Sequence, residues 1–287
     1  MDDKHGALYG LKFHPFRPDV PVSALHVEPA LRSFLFRVEQ QLPDGGFVAI
    51  SGAPGSGKSA ALRVLSERLD ALKDVQVGVL TRPQSNNADF YRELGHLFGV
   101  TLSPHNRWAG SKVLRERWLE HIDQTRTRPV LIIDEAQEMK PPVLAELRLL
   151  SSMNLDARAL LTVVLAGDDR LSAKFRTAEL LPVASRIRNH LQLGHREPEL
   201  LQKMLSHLLD EAGRPDLITD AVQHALCVHA AGNPRTLTTM ADNLLSHVYE
   251  HELEVIDEQT YFDVFQIQPE PTTPQPDPRT KRKRRAA

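Results

Sequence analysis

The chain has 287 residues, of which 41% are hydrophobic and 25% charged, with a formal net charge of −2. This composition excludes a disordered or fibrous protein and leaves room for a medium α/β domain plus a smaller one. The single cysteine, Cys227, excludes an internal disulfide framework and favours a reducing compartment. No apolar run has membrane-spanning length and no signal-peptide pattern is present, so we expect a cytoplasmic protein that needs no membrane.

Residues 1–45 hold an aromatic loop followed by a helical pattern. Tyr9, Phe13 and Phe16 lie in the loop, and apolar residues recur at helical spacing over residues 28–42. We predict that this segment forms the opening loop and helix of the domain that follows. Packing in a core is the simplest interpretation of the three aromatic side chains.

Residues 52–59 carry the pattern G-x-x-x-x-G-K-S between a predicted strand (47–50) and a predicted amphipathic helix (60–72). Strand, glycine-rich loop and helix together are the context of a phosphate-binding P-loop. Its backbone N–H groups can face phosphate oxygens, Lys58 can reach the β- and γ-phosphates, and Ser59 can ligate Mg²⁺. The sequence therefore predicts a nucleoside triphosphate with Mg²⁺, bound by Gly52, Ala53, Pro54, Gly55, Ser56, Gly57, Lys58, Ser59 and Ala60.

Strands and helices alternate along residues 46–195. The runs 129–133 and 160–166 are continuously apolar, as in strands that are buried in parallel sheets. We therefore predict an α/β fold with a parallel sheet flanked by helices. The predicted strands are 75–80, 129–133, 160–166 and 190–193, and the predicted helices are 88–98, 111–125 and 141–152.

An acidic pair ends the apolar run 130–133. At the carboxyl end of a strand in a P-loop sheet, Asp134 would hold Mg²⁺ and Glu135 would orient and polarise the attacking water. The alternative is an acidic pair that merely starts a helix.

Asp168 follows the strand 160–166. It could sense the γ-phosphate if this strand lies between the two nucleotide-handling strands, which are the strand before the P-loop and the strand that ends in the acidic pair. A carboxylate beside phosphate is unfavourable unless Mg²⁺ or another cation lies between them. An N-cap of the next helix is an equal alternative, and the sequence leaves this open.

Three arginines are candidate contacts to the triphosphate. Arg186 and Arg188, near the end of the α/β domain, could reach a neighbouring subunit's γ-phosphate, the alternative being a solvated or salt-bridged arginine. Arg235 follows a Gly-Asn-Pro turn at a helix start, which can carry it back to the nucleotide.

Residues 196–267 show only helical periodicity, over 199–212, 219–231, 234–251 and 257–265, and predict a small helical lid domain. The composition then changes to a proline-rich linker and a basic cluster. Residues 268–287 cannot bury enough apolar surface to fold, so we predict an extended tail.

These motifs in this order resemble those of AAA+ ATPases. Closer likeness to the ExeA-type ATPases and to transposition regulators related to MuB, TnsC and TniB comes from the segments 9–16, 134–137, 146–151 and 165–167. The resemblance covers residues 7–265 and implies ATP hydrolysis, Phe16 near the adenine, and a homo-oligomeric ring or filament completed by Arg186 or Arg188. Asp168 departs from the pattern, since an amide or hydroxyl is commoner there.

Within this resemblance, we predict a regulator that uses ATP to assemble on double-stranded DNA and to recruit or activate a transposase or integrase. The lack of a membrane span and of further domains favours it over a secretion-associated ATPase, and a nucleotide-gated scaffold is a third class. Cations that contact phosphates would line the assembly. The candidates, each with a solvated surface charge as the alternative, are Arg82, Arg107, Lys112, Arg115, Arg117, Lys140 and the tail residues Lys281, Arg282, Lys283, Arg284 and Arg285.

Overall fold

The computed structural model describes residues 9–101, 107–153 and 157–265. Its centre is a five-stranded, wholly parallel sheet with the order β2-β3-β6-β1-β7. A short antiparallel pair, β4-β5, precedes β6. The strands are β1 (Gly46–Gly52), β2 (Val75–Leu80), β3 (Arg128–Ile133), β4 (Ser152–Met153), β5 (Arg158–Ala159), β6 (Thr162–Gly167) and β7 (Ile187–Leu193).

Helices cover both faces of the sheet, and the last four helices of the described chain pack together around a core of their own. This arrangement confirms the predicted α/β fold with a helical lid. The helices are α1 (Pro29–Gln41), α2 (Lys58–Asp70), α3 (Asn87–Leu97), α4 (Arg107–Thr125), α5 (Pro141–Ser151), α6 (Asp169–Phe175), α7 (Leu181–Ala184), α8 (Pro198–Ala212), α9 (Asp220–His229), α10 (Pro234–Glu250) and α11 (Glu258–Phe265).

The apolar strands feed two cores, one on each face of the sheet. In β3, Leu131 and Ile133 pack with α3, α4 and α5, whereas Val130 and Ile132 pack with α1 and α2. All four side chains are at most 2% exposed. Because successive side chains of a strand point to opposite faces, only a strand that is apolar at every position can fill both cores.

The N-terminal loop packs against the lid helices rather than against the sheet. Tyr9, Leu11 and Phe16 belong to the core formed by α8–α11. The Tyr9 hydroxyl donates to the carbonyl of Val248 at 3.1 Å, and the Lys12 N–H donates to the carbonyl of Ala212 at 2.9 Å. The loop and the lid therefore form one packed unit, although they are the two ends of the described chain.

The differences from the predicted elements have local causes. Strand β6 begins at Thr162, two residues late, because Arg158–Ala159 pairs with Ser152–Met153 and the N–H groups of Leu160 and Leu161 donate to the carbonyl of Ser151. Strand β7 begins at residue 187, earlier than predicted, because three consecutive polar residues (188–190) of this edge strand hide its start, although exposed and more buried positions alternate along it. The predicted tail lies outside the described residues.

Within the described ranges, no helix combines the length and the hydropathy needed to cross a membrane. Cys227 is fully buried in the lid core, and burial raises the pKa of its thiol to about 11. A thiol in this state is protonated and inert near neutral pH.

Candidate nucleotide-binding site

The P-loop curls around the amino group of Lys58, the residue at which α2 begins. Gly55 and Gly57 have φ angles of 82° and 98°, in the left-handed region that glycine adopts without a steric penalty. The Nζ atom of Lys58 donates to the carbonyls of Gly52 at 2.9 Å and Ala53 at 3.2 Å. The only ammonium group of the loop is thus held where phosphate oxygens would enter.

A cavity of about 850 Å³ lies between the P-loop, the carboxyl ends of the strands and the lid. This volume is within the range of small-molecule and cofactor sites. Of the predicted site residues, Phe16, Pro54, Gly55, Gly57, Lys58, Ser59, Ala60, Glu135, Asp168 and Arg235 line it.

Ser59 and Asp134 form the candidate Mg²⁺ site. The Ser59 hydroxyl donates to Oδ2 of Asp134 at 2.8 Å, which joins the P-loop helix to the end of β3. Hydroxyl and carboxylate oxygens suit Mg²⁺, which commonly takes one or two protein ligands plus substrate phosphates. Among the described residues, no cluster of three or more histidines, cysteines and acids could hold a metal unaided. The donor set therefore fits Mg²⁺ that arrives with a nucleotide.

Glu135 lies at the cavity in an unusual backbone conformation. Its φ of 51° is left-handed, its N–H donates to Oδ1 of Asp134 at 2.8 Å, and its side chain is exposed. Strain of this kind concentrates at functional sites. The Gln137 amide, buried beneath it, donates to the Glu135 carboxylate. The carboxylate is thereby oriented at the edge of the cavity.

Asp168 serves as the N-cap of α6. Its carboxylate accepts from the N–H of Arg170 at 2.9 Å and pairs with the Arg170 guanidinium at 2.8 Å. Strand β6 does lie between β1 and β3, so Asp168 also borders the cavity from between the two nucleotide-handling strands. The N-cap is therefore observed, the sensing of the γ-phosphate stays a prediction, and the carboxylate already has a cation beside it. The hydrogen bond from the Arg170 guanidinium to the Asp168 carboxylate raises the pKa of Arg170 above its usual range.

The lid touches the P-loop through the start of α10. Asn233 caps the helix by accepting from the N–H groups of Arg235 and Thr236 at 3.0 and 3.4 Å. The same side chain donates to the carbonyl of Pro54 at 3.0 Å, and the Arg235 N–H donates to the carbonyl of Gly55 at 3.2 Å. Arg235 is therefore held against the phosphate-binding loop.

Replacing Gly55 with alanine is expected to separate the lid from the P-loop. A Cβ there would lie 2.5 Å from Oδ1 of Asn233 and 2.9 Å from Cβ of Arg235. We expect ATP affinity to fall about tenfold, because a displaced lid would lose roughly one charge-assisted hydrogen bond from Arg235 to the phosphates. Titration calorimetry measures this change.

Gly99→Ala is the matched control for this substitution. Gly99 also has a left-handed φ, +67°, but a Cβ there meets nothing within 4 Å. It should cost about 1–2 kcal/mol of stability without changing ATP affinity. Equal losses of ATP affinity in the two variants would show that the lid contact has no part in binding.

Two further residues that line the cavity, Arg196 and His26, were not predicted from the sequence. Arg196 donates to the carbonyl of Ser56 at 2.7 Å and pairs with Glu28 at 2.5 Å. Burial, and then the neighbouring His207, lower the pKa of His26, which also lines the cavity. No pattern marks either residue, because their partners are remote in sequence. Phe16 is 6% exposed and lines the same cavity, and its contact with the adenine stays a prediction.

Arg186 and Arg188 lie at the opposite end of the sheet. The carbonyl of Arg186 accepts from the N–H of Phe47 at the start of β1. From Phe47 to Gly52 the strand rises about 16 Å, more than an arginine side chain can span. Arg186 donates to the carbonyl of Pro182 at 2.6 Å, and Arg188 pairs with Asp44 at 3.3 Å. Neither residue meets the nucleotide cavity of its own chain.

The candidate DNA-contacting cations differ in their surroundings. Arg82 and Lys140 are exposed at the ends of β2 and of the turn after β3. Lys112 and Arg117 pair along α4 with Glu116 at 3.7 Å and Glu120 at 3.6 Å. Arg115 is half-buried and donates to the carbonyl of Ser152 at 3.1 Å, so it is structural. The Arg107 side chain and the basic tail lie outside the described residues.

The parallel sheet, the P-loop and the lid define the class of fold as the P-loop AAA+ fold. In agreement, residues 42–175 match the family model described as the AAA domain. The chain is also 29% identical over 248 residues to general secretion pathway protein A of Aeromonas hydrophila, across 83% of this chain and 43% of that protein. It therefore spans less than half the length of this relative.

Solved structures share the fold. Cdc6p from Pyrobaculum aerophilum aligns with a TM-score of 0.67 and 14% identity, covering 84% of this chain and 67% of that one. The Aeropyrum pernix ORC1 protein, solved in complex with DNA, aligns with a TM-score of 0.64 and 16% identity, covering 88% and 68%. At this identity the likeness shows the fold alone.

Proposed function

We propose that the protein binds ATP with Mg²⁺ in this cavity, hydrolyses it, and uses the nucleotide state to set the position of its lid. The observation that carries the proposal is that Lys58, Ser59, Glu135 and Arg235 line one cavity, while Asp134 accepts the hydrogen bond of the Ser59 hydroxyl beside it. Each is the group that phosphoryl transfer to water requires: a cation, a metal site, a base and a second cation.

In this proposal each side chain has a definite task. Lys58 exchanges its carbonyl partners for β- and γ-phosphate oxygens, and Ser59 and Asp134 hold Mg²⁺, which supplies charge neutralisation to the phosphates. Glu135 orients the attacking water and accepts its proton. Arg235 contacts the phosphates from the lid, so the hydrogen bonds of α10 to the P-loop couple nucleotide binding to lid position.

The direct test is phosphate release from ATP with Mg²⁺ and with a chelator. We expect turnover with Mg²⁺ and none with the chelator, because the two oxygen ligands cannot position the triphosphate without the ion. Equal rates under both conditions, or no binding of ATP at all, would contradict the proposal.

Assembly is the second part of the proposal. Arg186 and Arg188 lie too far from their own cavity to act there. In this proposal, one of them instead reaches the γ-phosphate in a neighbouring subunit's site. A homo-oligomer would then hydrolyse ATP only when assembled, so the rate per subunit should rise with protein concentration.

Besides a nucleotide-gated scaffold, two cellular roles are candidates for this ATPase. The 29% identity to general secretion pathway protein A favours a secretion-associated role over assembly on DNA. Assembly on double-stranded DNA, with recruitment of a transposase, is the second candidate, and the exposed cations Arg82 and Lys140 support it.

Duplex DNA separates the two candidates. If the second is right, the protein should co-sediment with DNA in the presence of ATP, with affinity falling steeply between roughly 50 and 200 mM salt. Combining Arg82→Ser with Lys140→Ser should then reduce the slope of log affinity against log salt by about 2.

The control variant combines Lys112→Ser with Arg117→Ser, because these exposed cations are already paired with glutamates of their own helix. Their loss should change the slope by less than half as much. No DNA binding at low salt with ATP would exclude the DNA candidate and leave the secretion-associated role or a nucleotide-gated scaffold.

A further inference from the structure

Arg170 is a cation at the nucleotide cavity that the proposed roles leave unused. It lies on the first turn of α6 with its side chain 63% exposed, and it lines the same cavity as Lys58 and Glu135. Asp168 and Glu138 hold its guanidinium at 2.8 Å each. Two carboxylates thus hold a guanidinium at the wall of the candidate nucleotide cavity.

A continuous chain of hydrogen bonds connects this cation to Glu135. The N–H of Asp168 donates to Oε1 of Gln137 at 3.3 Å, and Nε2 of Gln137 donates to the Glu135 carboxylate. Gln137 is 3% exposed, and a Cβ on Gly167 would lie 2.7 Å from its Oε1. The amide is therefore tightly enclosed, and only one of its two orientations can serve both neighbours.

We propose that Arg170 binds the γ-phosphate and that the Asp168–Gln137 hydrogen bonds transmit its position to Glu135. A guanidinium can serve a carboxylate and a phosphate at once, because its donors lie in a planar fork. It also provides the cation without which the Asp168 carboxylate would repel the nucleotide. When the γ-phosphate draws Arg170, the end of β6 shifts with it, and Gln137 reorients Glu135 towards the attacking water.

The proposal rests on the proposed ATPase function but is tested separately from it, because ATP carries the γ-phosphate that Arg170 would bind and ADP does not. In Arg170→Gln, we expect the affinity for a slowly hydrolysed ATP analogue to fall about tenfold while ADP affinity stays within about twofold, as for one lost charged hydrogen bond. Arg176→Gln is the matched control, because this exposed arginine ends the same helix without lining the cavity. An unchanged preference for the ATP analogue over ADP in Arg170→Gln would overturn the assignment.

The transmission step is tested with Gln137→Met, which keeps the volume and removes both hydrogen bonds. We expect kcat to fall about tenfold with KM and ADP affinity unchanged, a split that general destabilisation would not produce. If Gln137→Met does not fold, Gln137→Asn serves instead, because the shorter amide cannot span Asp168 and Glu135 together.

A double-variant cycle completes the test. Because both side chains act through one chain of contacts, combining Arg170→Gln with Gln137→Met should slow turnover no more than the worse single variant. Multiplied losses would overturn the transmission step. A wild-type protein that fails to hydrolyse ATP would refute the proposed function, whereas an active wild type with an unaffected Arg170→Gln refutes only this inference.

Discussion

Replacing Lys58 with alanine is expected to abolish ATP binding at working concentrations. The ammonium group is the positive charge enclosed by the P-loop, and it is already desolvated, since the side chain is 6% exposed. Charged hydrogen bonds to two phosphates are worth about 3 kcal/mol together, so the dissociation constant should rise by about 100-fold or more. Titration with a fluorescent ATP analogue measures this directly.

Two controls separate lost binding from lost folding. Lys58→Met preserves much of the side-chain volume within the loop, so equal loss of binding in both variants assigns the effect to the charge. Lys73→Ala removes an exposed lysine after α2 and should bind ATP as the wild type does. Tight ATP binding by a folded Lys58→Ala protein would remove the P-loop from the proposed function.

The fold was accessible from the sequence because its three central strands are buried on both faces. Continuous apolar runs predicted β3 and β6, and the places of the predicted strands in a parallel sheet are confirmed. The P-loop could be located because its glycines, lysine and serine are adjacent in sequence and bounded by a strand and a helix. Local physical requirements of this kind leave local patterns.

The remaining parts of the candidate site depend on contacts between distant residues. Arg196 meets Glu28 across 168 positions, and Asn233 meets Pro54 across 179. The sequence placed Arg235 at a helix start, but not that this helix rests on Gly55. Single side chains with remote partners leave no periodicity, so only the folded arrangement shows them.

Asp168 shows how a sequence can leave a role undecided for a physical reason. Its position predicted either an N-cap or a phosphate-facing group. The folded chain forms the N-cap and also places the residue at the cavity, where contact with a phosphate stays a prediction. What the sequence could not show is that Arg170, two residues later, turns back to bind the carboxylate. The charge at the end of β6 is thus set by Asp168, Arg170 and Glu138 together and not by one residue.

Replacing Glu135 with glutamine is expected to separate ATP binding from ATP hydrolysis. The amide keeps the shape of the side chain and can still accept the hydrogen bond from Gln137, but it cannot take a proton from water. We expect kcat to fall by about 100-fold or more, the usual contribution of a general base, with ATP affinity unchanged within about threefold. Phosphate release and nucleotide titration on the same preparation measure both quantities.

The same variant should arrest the proposed assembly in its ATP-bound form, because hydrolysis is the step that would release the subunits. In sedimentation velocity, the Glu135→Gln protein should form a larger species that persists with ATP and is absent with ADP. Glu179→Gln, an exposed acid that does not line the cavity, is the control and should behave as the wild type. Unchanged turnover in Glu135→Gln would exclude this carboxylate as the base. Lost turnover without a persistent assembly would instead mean that ATP binding does not drive association.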